Sequence, residues 1–349
     1  MILRTLYNEA INNKNILSGS NNRLQNYTIE AIFTQNNQKK FFKDLLYDKN
    51  EKIELIDNII ENMSEFRLNH TICSFLLGIL LVEKFKFNFK TWPRLLNDKS
   101  SNKSFYIIWG LACLFHDCCY KYEEKGEIRN YPLEKYSTVL DFIYEEKIIY
   151  SLLENMYESD IDYKSLIENY YIYRIKNFQC IDHGISSGLV VFEMFYNLNL
   201  MKNEKIIYGM KLSDDFLNKI SAICTTISRH NMYFVDENSV EANFYKTSGL
   251  EKLIINKDLK ISYKNDVLLY LLGIVDTIEF YKSFNRNAND TTDYSFMDYV
   301  DIEFENNSMS IISQKYYEYI IKFKDSLTNW LKIDVNDIDN GIKVEILKN

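Results

Sequence analysis

Apolar residues recur every three to four positions along most of the chain, the spacing that lines one face of an α-helix. The pattern is strongest between about residues 64 and 285 and predicts helices over 66–86, 103–122, 132–158, 163–177, 183–200, 212–230 and 265–284. Asp182 stands just ahead of His183 and is placed to cap the helix that starts there, as Ser213 or Asp214 is for the next. The second stretch, SFYIIWGLACLF, is apolar almost all round, which puts its helix in the middle of a domain. Residues 1–63 are polar and Asn-rich, with helical stretches near 38–62, and are expected to form an N-terminal extension. After about residue 290 the period changes. Tyr299–Phe304 and Met309–Ile312 flank a Glu-Asn-Asn-Ser turn as a hairpin, 314–331 has the period of an amphipathic helix, and Ile342–Leu347 alternates like a last strand. The expected fold is mostly α: a helical bundle over 64–289 with a small α+β C-terminal appendage over 290–349.

Composition narrows the functional classes. Hydrophobic residues make up 46% of 349, enough for a sizeable core, and only 2 prolines and 10 glycines suit long helices. With 41 basic and 49 acidic residues the net charge is −8, so no basic field favours double-stranded nucleic acid as a partner. The longest apolar runs, Thr71–Val82, Phe105–Phe115 and Val267–Val275, fall short of the roughly 20 residues that span a bilayer. The start, MILRTLYNEAINN, has no leader pattern. A cytoplasmic protein without membrane contact is therefore expected. Its six cysteines lack CxxC spacing, and Cys118 and Cys119 are adjacent, so they are expected as reduced thiols.

The candidate chemistry lies in four histidines: His70, His116, His183 and His230. Each falls in or at the edge of a separate apolar helix. The spacings are 46, 67 and 47 residues, with a further 46 to Asp276. A single histidine on such a helix is ordinarily a hydrogen-bonded core residue; the joint placement is what points to metal, for which imidazole is the commonest protein ligand. His70 shares a helical stripe with Cys73, Ser74, Leu77 and Gly78, an inward-looking face. His116 and Asp117 follow the most apolar helix, where a buried imidazole and carboxylate need compensation, either from each other or from a cation. Gly184, Ser186, Ser187 and Gly188 surround His183 and allow close approach, either of a neighbouring helix or of an anion at the helix N-terminus. His230 continues the stripe of Ile223, Thr226 and Ile227, and Asp276 that of Leu269, Leu272 and Gly273. A carboxylate among such neighbours rarely stays buried without a partner. Glu279, three residues on, is placed to orient a ligand histidine.

The order His, His-Asp, His, His, Asp resembles the HD-domain superfamily of metal-dependent phosphohydrolases. The motifs are Asn69-His70-Thr71, Leu114-Phe115-His116-Asp117, Asp182-His183-Gly184, Ser228-Arg229-His230 and Ile274-Val275-Asp276-Thr277-Ile278-Glu279. The match covers roughly residues 65–285 and is closest to the dinuclear members. The resemblance implies an HD-domain helical bundle. It implies one metal on His70, His116, Asp117 and Asp276 and a second on Asp117, His183 and His230, with Asp117 bridging. It also implies two divalent transition metals, Fe or Mn foremost, with Zn, Co and Ni as further fits. The implied reaction uses a metal-bridging hydroxide to cleave a phosphoester or phosphoanhydride of a nucleotide or related small phosphate ester.

Three features depart from the family pattern. Many dinuclear members carry a lysine three residues after the HD aspartate; here Tyr120 holds that place and Lys121 follows as the candidate catalytic substitute. The GYP signature is absent, which argues against a cyclic dinucleotide of the di-GMP type. The interval from Asp117 to His183 is long enough to hold a lid. Lys121, Arg229, Lys282 and Arg286 are the candidate phosphate contacts, each otherwise a solvated surface cation. The same ligand order also suits a mixed-valent di-iron oxygenase of the inositol-oxygenase type, and an HD scaffold that only binds a nucleotide or a partner is the non-catalytic alternative. The C-terminal appendage is a candidate for partner binding or for self-association into a homo-oligomer.

Overall fold

The structure, a computed structural model, describes residues 1–13, 24, 27–34, 37–46, 54–87, 101–120, 123, 163–200, 206–207, 210–211, 214–232, 234–255, 260–264, 266–285 and 294–347. These residues are mostly helical, with a small antiparallel sheet near the C-terminal end. Four helices open the chain: α1 (Leu3–Ile11), α2 (Ile29–Thr34), α3 (Gln38–Leu46) and α4 (Glu54–Asn62). The bundle that carries the histidines follows as α5 (Glu65–Lys84), α6 (Ser101–Phe115), α7 (Tyr163–Phe178), α8 (His183–Leu200), α9 (Asp214–His230), α10 (Val240–Thr247), α11 (Val267–Ile278) and α12 (Phe280–Asn285). Between α8 and α9 lies a minimal ribbon of β1 (Ile206–Ile207) and β2 (Met210–Lys211).

Helix α5 is the hub. Ser64 caps its start by accepting from Arg67 N, and its side chains are buried without a break from Leu68 to Val82. By length and hydropathy it could cross a membrane, but 83% of its apolar window is buried inside the molecule, as expected for a core helix. It packs on α1, α6, α11 and α12. Gly78 makes the α5–α6 crossing close: a Cβ there would lie 2.2 Å from the Trp109 indole, whose Nε1 donates to the Phe75 carbonyl at 3.0 Å. That approach sets His70 beside His116.

The tail forms β3 (Asp301–Glu305), β4 (Ser308–Ile312), α13 (Tyr317–Ile320), α14 (Lys322–Trp330), β5 (Ile333–Ile338) and β6 (Gly341–Ile346), with strand order β3-β4-β6-β5, all antiparallel. The expected hairpin and last strand are present. The N-terminus docks on it, Leu3 N donating to Val300 O at 2.9 Å and Ile302 N to Met1 O at 3.0 Å. One buried apolar cluster takes in Leu3 of α1, helices α5, α6, α8, α9 and α11 and Ile346 of β6, and a second joins α7 to α10.

The structure corrects several expected boundaries. The helix expected over 103–122 ends at Phe115, and residues 116–119 form turns in which Cys118 N bonds Phe115 O and Tyr120 N bonds Asp117 O. The helix expected over 265–284 breaks at Glu279, whose backbone is extended (ψ 119°) because its carboxylate captures the Tyr281 and Lys282 N–H groups. The helix expected over 314–331 divides into α13 and α14. Helices α1, α2 and α10 and strands β1, β2 and β5 were not expected at all. The helix expected over 132–158 lies outside the described residues.

Candidate metal centre

His70, His116, Asp117, His183, His230 and Asp276, drawn from α5, α8, α9, α11 and the turn that follows α6, come together. The four rings form a chain of edge-to-face neighbours. Centroids are 5.2 Å apart for His70–His116, 5.2 Å for His116–His230 and 5.4 Å for His183–His230. All four histidines and Asp117 are buried, while Asp276 keeps 22% of its side chain exposed.

Close helix packing makes this possible. Asp182 caps α8, accepting from Ile185 N at 3.1 Å, as its position ahead of His183 predicts. The small residues that follow serve a neighbouring helix: a Cβ on Gly188 would lie 2.1 Å from Ser228 Oγ and 2.7 Å from Cys224 O, both on α9. His183 and His230 therefore face each other across the α8–α9 contact.

Every histidine has its Nδ1 against an oxygen that can only accept when ionised or carbonyl. His70 Nδ1 lies 2.7 Å from Glu279 Oε2, His116 Nδ1 2.8 Å from Cys113 O, and His230 Nδ1 2.6 Å from Ile227 O; His183 Nδ1 meets Glu123 Oε2. Each Nδ1 is thereby the donor, so a neutral ring turns a bare Nε2 lone pair to the centre. His70 Nε2 and His116 Nε2 are 3.1 Å apart, with Asp276 Oδ1 at 3.3 and 3.7 Å from them. Two lone pairs facing each other repel unless a proton or a cation lies between them. The same Nδ1–acceptor arrangement orients histidines that bind metals.

Asp117 divides its carboxylate between the two histidine pairs. Oδ2 lies 3.7 Å from His70 Nε2 and 3.6 Å from His116 Nε2, whereas Oδ1 lies 3.1 Å from His183 Nε2 and 3.8 Å from His230 Nε2. Three groups have ligand atoms within 4.8 Å of one another: His70–His116–Asp276, His116–Asp117–His230 and Glu123–Asp182–His183. These buried groups could hold metal ions. The mixed imidazole and carboxylate donors fit first-row transition metals.

The electrostatics agree with a cation-seeking centre. Burial alone would raise the Asp117 carboxyl, but His116, His183 and His230 hold it well below the usual range. Burial likewise opposes ionisation of Asp276, and Lys282, His116 and His70 outweigh it. For His116 burial dominates and pushes its pKa down, favouring the neutral ligand form. For His183 burial is outweighed by Asp117 and Glu123, which raise it to about 10.

Two cations stand at the centre's exposed side. Lys282 Nζ lies 2.8 Å from Asp276 Oδ1, with 30% of its side chain exposed. Arg67, 17% exposed, pairs with Asp117 Oδ2, and its guanidinium lies 3.6 Å over the Tyr120 ring. Tyr120 thus carries a cation brought from α5. Arg67 and Glu123 were missed by sequence reasoning. Arg67 precedes His70 by one turn on the same stripe, a signal that was there to be read; Glu123 sits in an acidic stretch with nothing to single it out. Of the other expected phosphate contacts, Arg229 forms a buried pair with Asp266 (Nη1–Oδ2 2.7 Å), the cap of α11. Lys121 and Arg286 lie outside the described residues.

Comparison of the chain with protein-family models, with curated proteins and with solved structures gave no match.

Proposed function

We propose that the protein is a metal-dependent phosphohydrolase acting on a nucleotide or a related small phosphate ester. The observation that carries this reading is the convergence of four imidazole Nε2 atoms and two carboxylates, flanked on the exposed side by Arg67 and Lys282. His70, His116, Asp276 and Asp117 would hold one metal, and His183, His230 and Asp117 the other, in keeping with the HD-domain resemblance of the sequence. Bound there, divalent transition metals supply Lewis acidity and an activated water for attack on phosphorus.

The chain's own residues supply the rest. Glu279 and Glu123 hold the His70 and His183 rings by Nδ1 and so aim Nε2. Arg67 and Lys282 sit where a phosphate would enter, and their charges draw on its oxygens as negative charge grows during cleavage. These cations favour an anionic substrate, which among the substrates of the oxygenase alternative disfavours a neutral polyol but not a phosphonate. The test is a nucleotide panel with Mn²⁺ or Fe²⁺ under anaerobic conditions, read as release of phosphate or nucleoside monophosphate. Turnover by the wild type that Asp117→Ala abolishes supports the proposal; equal rates for the two proteins refute it.

A further inference from the structure

Cys118 and Cys119 directly follow Asp117, and their sulfurs are 3.8 Å apart. Three observations single the pair out. Of the six cysteines Cys118 alone is partly exposed; the other five are buried. The pair lies beyond the end of α6, in turns, so the peptide joining the two residues is outside the helical ladder. Its N–H, on Cys119, donates instead to Ser187 Oγ at 3.1 Å, on the turn of α8 that follows His183. One hydrogen bond thus ties the segment holding Asp117 to the helix holding His183.

We propose that Cys118 and Cys119 form a dithiol modification site, oxidised by hydroperoxides to a vicinal disulfide that loosens the metal centre. The sulfur of the partly exposed Cys118 attacks the peroxide oxygen, giving the sulfenic acid and releasing the alcohol, or water from hydrogen peroxide. The Cys119 sulfur then attacks the sulfenic sulfur, the S–S bond forms, and water leaves. Two thiols lose two electrons and two protons, and one peroxide bond is reduced. Closing the sulfurs from 3.8 Å to about 2.05 Å turns the intervening peptide and draws its N–H away from Ser187. The carboxylate next in the chain, Asp117, then loses its fixed position between the two histidine pairs. A dithiol trap suits a centre of oxidisable metal, because it signals the same oxidant that would damage the metal. The disulfide itself does not depend on the function proposed above; its effect on metal binding rests on that reading.

The test uses the full chain, purified reduced and without oxygen, then exposed to equimolar hydrogen peroxide. Peptide mapping should find Cys118 joined to Cys119. Mn²⁺ affinity should fall about tenfold or more, the size of effect seen when support around a ligand is lost, and dithiothreitol should restore it. Cys119→Ser should halt at a Cys118 sulfenic acid that dimedone traps. Wild-type Cys118 carried on to sulfinic acid, or both thiols left free while buried cysteines oxidise, overturns the proposal. A mapped disulfide with unchanged Mn²⁺ affinity overturns its link to the centre. If the reduced protein binds no Mn²⁺, the proposed function fails, while the mapping still decides the dithiol site.

Discussion

His70 Nε2 lies 3.1 Å from His116 Nε2 in a fully buried setting, and both rings have already committed their Nδ1 hydrogens elsewhere. Such an arrangement costs energy in a neutral, metal-free protein and becomes favourable once a cation accepts both lone pairs. The cost is held in place by the α5–α6 crossing, by the Glu279 carboxylate and by the Cys113 carbonyl.

The Glu279 contact gives the first prediction. Glu279→Gln keeps one oxygen, for the Tyr281 amide, and replaces the Oε2 that accepts from Lys282 N and His70 Nδ1 by an NH2 group, so it removes the charge and the acceptor that support His70. Metal affinity should fall by about 10–100-fold, and the metal-free protein should lose about 1–3 kcal/mol of stability for the buried N–H left without an acceptor. Competition with a chelating dye measures the affinity; an unchanged value would mean that Glu279 does not support a ligand.

His183 gives a pH dependence. In the metal-free protein its Nε2 faces Asp117 Oδ1 at 3.1 Å and its Nδ1 faces Glu123, so the ring stays charged up to about pH 10. A metal on Nε2 must displace that proton. Below pH 10 binding should release about one proton and weaken about tenfold for each unit the pH falls. Titration calorimetry in buffers of different ionisation enthalpy reads the release directly, and heats independent of buffer would sink the assignment of His183 as a ligand.

Arg229 separates a structural role from a substrate role. Its 2.7 Å pair with Asp266 is buried on both sides, and Asp266 caps α11, the helix that carries Asp276. Arg229→Met removes the charge that balances Asp266 and should cost about 3–5 kcal/mol in urea unfolding. Adding Asp266→Asn should recover much of the loss. A stable single variant with weakened substrate binding would instead return Arg229 to the phosphate contacts.

Gly188→Ala tests the α8–α9 crossing. Its Cβ would press on Ser228 Oγ and on the Cys224 carbonyl, which is backbone and cannot swing away. Destabilisation of about 1–3 kcal/mol is expected, together with weaker binding of the metal held by His183 and His230. Wild-type stability in this variant would show the crossing to be looser than described.

The residues of the candidate centre were legible because polar side chains stand out in apolar helices. Four histidines in 349 residues, each in or at the edge of a separate apolar helix, leave few alternatives. The contacts made across helices were not legible: Arg67 shares the stripe of His70, but its reach to Asp117, like that of Glu123 to His183, exists only after folding brings distant segments together. The break at Glu279 carries no glycine or proline to announce it, since a side-chain carboxylate captures the next two amides. Strand β5 was hidden by Asp334, Asn336 and Asp337, residue types depleted in strands in general yet suited to an edge position, where charge discourages pairing with other chains. The N-terminal segment looked polar, yet α1 buries Leu3, Leu6, Tyr7, Ala10 and Ile11 on one face.

The most direct test of the metal centre is anomalous diffraction from crystals of anaerobically purified protein grown with Mn²⁺. The account predicts two anomalous peaks, one against His70, His116 and Asp276 and one against His183 and His230, with Asp117 touching both. Crystals with no anomalous density among the four imidazoles would contradict it.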